Sequence, residues 1–218
     1  MMNKTASIIS IFSMLFIQSV FASSSAIPLA DIEVSQDQQS IKRGVLVYHN
    51  TCRLCHSMKY IKYQHLEQIG FNESEIDKLR GNALKTAAMT RLMSDDASYE
   101  LYGMVPPDLS IMAKARKHGP QYIYTLMTSY KEKDGVYSNT LFPGIKMPDV
   151  FDGSTYTDSA TKVAIEVKVR DVTEFLTWSA DPRAAERKNL GKYVIAYLII
   201  LSTMFYFVMK RVWRRLDE

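Results

Sequence analysis

The chain has 218 residues, room for one domain of ordinary size together with short targeting and anchoring segments. Its formal charge of +4 does not mark a nucleic-acid binder, because residues 23–186 carry 19 Lys and Arg against 21 Asp and Glu, a net of −2. The basic excess lies on Lys4 and on seven residues from Arg187 onward, so the alkaline pI reflects membrane topology.

Residues 1–22 read as a cleaved secretory signal. Lys4 supplies the positive n-region, Ile8 to Ile17 the short apolar run, and Val20-Phe21-Ala22 the small residues of a cleavage point, with cleavage after Ala22 or Ala26. A retained N-terminal anchor is the alternative, disfavoured because the apolar run is shorter than the ~20 residues that span a bilayer. Ser40 to Thr51 is predicted to be an amphipathic helix, with Ser40 as N-cap and Ile41, Val45, Tyr48 and His49 at helical spacing. Within Glu67 to Arg80, Asn72 and Glu75 have capping-box spacing, and Ala83 to Leu92 is predicted helical on weaker periodicity. Pro106-Pro107 stops any helix, Asp108 is expected to cap a helix over Leu109 to Arg116, and Gly119-Pro120 to close it. Gln121 to Tyr130 is a further predicted helix.

Lys131 to Phe151 is rich in Gly, Pro, Asp, Ser and Asn and is predicted to be one long loop, of the kind that is either functional or disordered. Ala160 to Ala180 is ambiguous: Val163, Ile165, Val167 and Val169 alternate like a strand, whereas Val172, Phe175, Leu176 and Trp178 fit a helix, expected from about Val167. Pro182 and Gly191 punctuate the approach to Tyr193–Met209, an uncharged apolar run with Lys188 and Lys192 before it and Lys210, Arg211, Arg214 and Arg215 after it. A single membrane-spanning helix is predicted there, in preference to a buried core helix, with the basic end cytoplasmic by the positive-inside rule. The expected organisation is therefore a signal at 1–22, an exported domain at 23–186, a basic juxtamembrane segment at 187–192, a spanning helix at 193–209 and a tail at 210–218.

The two cysteines stand three apart in Cys52-Arg53-Leu54-Cys55-His56. A disulfide is the usual state of two cysteines in an exported protein, but a C-x-x-C bridge closes too small a loop to add much stability. The histidine directly after them points to covalent haem: two thiols add across the haem vinyl groups and His56 ligates the iron. A thiol–disulfide centre lacks the surrounding thioredoxin-like strands, and a zinc knuckle lacks a second Cys or His pair at ligand spacing. A sixth iron ligand must come from far along the chain, as Met or His. Most of the twelve methionines fall in the signal, in the anchor or on helical patterns, and Met58 is too close to His56. Met104 and Met147 remain; Met147 is preferred because Pro143 and Pro148 stiffen its segment. His49, His65 and His118 are the bis-histidine alternatives. Arg116 and Tyr122 are candidate donors to the haem propionates, set against an exposed arginine and a core tyrosine.

Together these residues resemble the cytochrome c1 subunit of the quinol–cytochrome c reductase (bc1) complex. The matching pieces are Arg43-Gly44 and Val47-Tyr48 before Cys52 to His56, then Pro106-Pro107-Asp108-Leu109-Ser110, Ala115-Arg116, Tyr122-Ile123, Phe142-Pro143-Gly144 and Met147-Pro148. They continue through Asp171-Val172, Phe175-Leu176, Trp178, Asp181-Pro182, Arg187-Lys188 and Gly191 to the anchor. The resemblance implies a mostly α, class I-like c-type cytochrome domain with a single C-terminal transmembrane helix. It implies one covalent haem c on Cys52 and Cys55, axial ligands His56 and Met147, and propionate contacts from Arg116 and Tyr122. The implied partners are cytochrome b, a Rieske iron–sulfur protein and a cytochrome c acceptor within a dimeric complex. The implied location is a bacterial inner membrane, with the haem domain periplasmic and the C-terminus cytoplasmic. Two rival functions are an anchored c-type cytochrome outside the complex and a membrane-tethered thiol oxidoreductase.

Overall fold

Asp37, not Ser40, starts the first helix. Its carboxylate accepts the Ser40 amide at 2.9 Å, one of the donors that a helix start leaves without a partner, and helix α1 runs Gln38–Asn50. In this computed structural model the described residues are 27–214, apart from 36, 134 and 157; the predicted signal and its cleavage point lie outside them.

Ile41, Gly44, Val45 and Tyr48 form the buried face of α1 and pack against α6, Ser159–Ala180. Asp158 caps α6 through the Thr161 amide at 2.8 Å, so the helix begins well before Val167. The alternating stretch is helical because Ile165, Val169 and Val172 are buried at helical spacing while Val163 and Val167 face solvent.

The two helices meet backbone to backbone at Gly44. A Cβ there would lie 2.1 Å from the Asp171 carbonyl oxygen and 2.8 Å from the Phe175 Cβ. Tyr48 and Phe175 sit beside the crossing with ring centroids 5.7 Å apart, and Trp178 stacks on Phe175 at 6.0 Å. Arg43 closes its edge with a bidentate pair to the buried Asp171, at 2.7 and 2.8 Å.

After α1 the chain makes a 3-10 turn at Cys52–Leu54, strand β1 at Met58–Lys62, a second 3-10 segment at Tyr63–Ile69 and helix α2 at Glu73–Arg80. The Asn72–Glu75 capping box closes reciprocally, at 2.8 and 2.9 Å. The predicted helix over Ala83 to Leu92 is instead turns and the short strand β2, Ala88–Met89, antiparallel to β1. Its apolar residues share no buried face, since Leu84 and Leu92 are exposed, and its Ala87 and Lys85 carbonyls accept the Tyr63 and Gln64 amides. Helix α3, Asp95–Tyr102, is capped by Ser94 and ended by left-handed Gly103.

Asp108 caps no helix. The next one, α4, is only Met112–Ala115, and Gly119-Pro120 opens α5, Gly119–Thr128, where a proline in the first turn forfeits no hydrogen bond. The predicted loop after it contains a hairpin, β3 Tyr130–Lys133 and β4 Val136–Asn139, turning through Gly135 at φ 75°. The final helix, α7, spans Ala184–Arg214 without a break at Gly191, and is long and apolar enough to cross a membrane. The architecture is mostly helical, as expected.

Candidate haem site

The end of α1 delivers Cys52. The Cys55 and His56 amides donate to the Cys52 carbonyl at 3.1 and 2.8 Å, winding the motif into one tight turn that brings both cysteines and the imidazole together. Both cysteines are free thiols, partly buried. Burial pushes the Cys52 thiol up to about 12, with the nearby Cys55 adding to it. Thiol–disulfide enzymes need the opposite, a thiol with a depressed pKa.

His56 is oriented from one side of its ring. Nδ1 lies 2.8 Å from the Pro107 carbonyl oxygen, which can only accept, so Nδ1 carries the proton and Nε2 keeps its lone pair. Burial holds the imidazole below its usual range and so favours the neutral form that can ligate a metal. The buried Tyr48 hydroxyl lies 2.9 Å from the His56 carbonyl and 3.1 Å from that of Met89, tying the turn to α1 and β2. Leu92 and Met93 donate to the Arg53 and Leu54 carbonyls at 3.1 and 3.0 Å, and the Tyr102 hydroxyl lies 3.9 Å from the Cys55 sulfur.

These residues fit a haem. Two thiols and an imidazole with an uncommitted nitrogen are the donor set such a group needs, and exposed Leu54, within the motif, and Leu92, whose amide donates to the Arg53 carbonyl, add apolar surface beside it.

Met147 lies past the hairpin, half-buried against the core. The Tyr130 hydroxyl donates to its carbonyl at 2.8 Å. Buried Asn139 accepts the Leu141 and Phe142 amides, both at 3.0 Å, and buried Asp149 accepts the Ser154 amide and hydroxyl at 2.9 and 2.7 Å. The sequence assigns Tyr130, Asn139 and Asp149 no such role; a polar residue inside or beside a Gly/Pro-rich stretch is the sign that could have marked these ties. Arg116 follows α4 and is exposed, with its guanidinium carbon 5.9 Å from the centre of the half-buried Tyr122 ring. The two predicted propionate donors are thus brought together.

Residues 29–216 match the family described as the Cytochrome C1 family. The chain belongs to the cytochrome c1 family. It is 31% identical over 211 residues to cytochrome c1 of Allochromatium vinosum, covering 82% of this chain and 85% of that one. It is 32% identical over 224 residues to cytochrome c1 of Rhodospirillum rubrum, covering 82% of each. A protein of Bradyrhizobium diazoefficiens named cytochrome b/c1 is 28% identical over 228 residues, covering 81% of this chain and 33% of that longer one. Membership of the cytochrome c1 family supports a haem c electron-transfer subunit of the bc1 complex, and α7 agrees with a single-pass membrane anchor.

Proposed function

We propose that this chain carries one haem c, bound covalently through Cys52 and Cys55, and relays single electrons from a Rieske iron–sulfur protein to a cytochrome c. The observation that carries the reading is the Cys52–His56 turn with His56 Nδ1 held by the Pro107 carbonyl, which leaves Nε2 for iron. When bound, the haem supplies a centre that gains and loses one electron. The chain's own residues hold, bury and orient that centre, and none of them makes or breaks a substrate bond.

Met147 would be the second iron ligand in this reading. Its backbone is fixed by Tyr130, and a thioether in that place would raise the reduction potential relative to a second histidine. His49 has both ring nitrogens engaged locally, Nε2 at 3.0 Å from the Leu79 carbonyl and Nδ1 at 3.3 Å from the Asn50 side-chain oxygen, which leaves it no nitrogen for iron. Arg116 and Tyr122 bind the propionates.

Cytochrome b is the membrane partner of α7, a role that the fused name of the Bradyrhizobium relative supports. The haem domain lies on the exported side of a bacterial inner membrane, and Lys210, Arg211, Arg214 and Arg215 mark the cytoplasmic end. Purification of the tagged full chain from membranes in mild detergent is expected to bring cytochrome b and a Rieske protein with it, in a dimeric complex. Recovery of the chain alone, with its haem intact, would favour a free-standing anchored cytochrome.

A further inference from the structure

His56 is only as well oriented as the carbonyl it donates to, and little holds that carbonyl directly. Pro106 and Pro107 have no N–H to donate, the segment from Val105 to Leu109 has no regular structure, and Pro107 itself is exposed. One backbone bond, from the Leu109 amide to the Ser57 carbonyl at 2.9 Å, joins the segment to the residue just before β1.

Two side chains supply the rest. The Asp108 carboxylate reaches across to β1 with one oxygen, accepting the Lys59 amide at 2.8 Å, and folds back with the other to accept the Ser110 amide at 2.9 Å. The fully buried Ser110 accepts the Tyr60 amide on its hydroxyl at 3.1 Å. The pairing of β1 with β2 is irregular between Met58 and Lys62, and Asp108 and Ser110 accept the Lys59 and Tyr60 amides within that stretch. Asp108 is adjacent to Pro107, so its grip on both sides fixes the peptide whose oxygen faces the imidazole.

We propose that Asp108 is a positioning residue for His56: its two amide bonds lock the Pro107 carbonyl against Nδ1–H and thereby set the ring orientation and donor strength of the axial ligand. The inference rests on the reading of His56 as an iron ligand. A firm hydrogen bond at Nδ1 makes the imidazole a stronger electron donor and favours the oxidised iron, so loosening it raises the reduction potential. Loss of a nearby negative charge would raise the potential as well, so the potential alone does not separate the two causes. Solvent exchange of the Nδ1 proton does, because it follows the hydrogen bond rather than the charge.

The test compares full-length wild type, Asp108→Ala and Asp108→Asn, each with its haem content read from the pyridine haemochrome. For each, the midpoint potential and the exchange rate of the hyperfine-shifted Nδ1 proton in the oxidised protein are measured. The alanine variant is expected to show a raised potential and exchange at least tenfold faster than wild type. The asparagine variant loses the same charge but keeps one acceptor oxygen, and its exchange should fall between the two. Wild-type exchange in Asp108→Ala with haem in place would overturn the proposal and leave Asp108 only a charge effect. If Asp108→Ala does not fold, wild-type exchange in Asp108→Asn overturns it equally. A wild-type protein without a c-type haemochrome band would remove the functional reading and this inference together, whereas an unchanged exchange rate removes the inference alone.

Discussion

Gly44 shows how much one missing side chain decides. The atom that a Cβ would strike at 2.1 Å is a helix carbonyl and not the tip of a flexible side chain, so Gly44→Ala must push α1 away from α6. Overpacking of this kind costs about 3 kcal/mol, and we expect a lowered urea midpoint with an unchanged slope. At Met147 the expected readout is optical: Met147→Leu removes the sulfur-to-iron charge-transfer band at the red end of the visible spectrum, while haem content stays the same. An unchanged band would move the ligand elsewhere, to Met104 first. The residue types at both positions were legible in the sequence, Gly44 as part of Arg43-Gly44 and Met147 from its flanking prolines. Their reasons were not: the clash at Gly44 involves a helix more than a hundred positions away, and Met147 is fixed through its carbonyl by a tyrosine from another element.

At the scale of elements, helix interiors were legible and their ends less so. The sequence marked Ser40 and Asp108 as caps, but Asp37 caps α1 and Asp108 serves β1, because a carboxylate accepts whichever unpaired amide the tertiary structure brings to it. The Ala83 to Leu92 helix failed because periodicity over a short apolar stretch does not report that its carbonyls find partners on another segment. Pro182 marked the joint between α6 and α7, but the ion pairs that hold it could not be read from spacing. There Asp181 takes Lys114 from the end of α4 at 2.6 Å and Arg187 from the first turns of α7 on the same oxygen. Lys114, and then Arg187, hold the Asp181 carboxyl below its ordinary value of 3.8. A depressed carboxyl adds stability that is complete above the ordinary value and is lost as pH falls through the lower, folded-state value. We therefore expect amide protection over residues 182–190, corrected for intrinsic exchange, to be constant at neutral pH and to drop only below about pH 4. Asp181→Asn should lower that protection at pH 7 and flatten its pH dependence.

Across the whole molecule, the order of the chain mirrors its division of labour. The Cys52–His56 turn, its supporting carbonyl at Pro107 and the Arg116–Tyr122 pair occupy the first two thirds. The core helix α6 then returns to pack against α1, and the chain leaves in an apolar helix. The mostly helical class and the apolar C-terminal helix were both legible, because a charge-free run with basic flanks and a C-x-x-C-H turn are local signals. The two short sheets were not, since strand pairs of two to five residues carry almost no periodicity of their own. The proposed function requires first that Cys52 and Cys55 bind one haem covalently. The most direct measurement is a pyridine haemochrome spectrum of the full-length chain after acid–acetone extraction. The haem is expected to stay with the polypeptide, one per chain, with a c-type band. Haem released into the solvent, or no band on the protein, would contradict it.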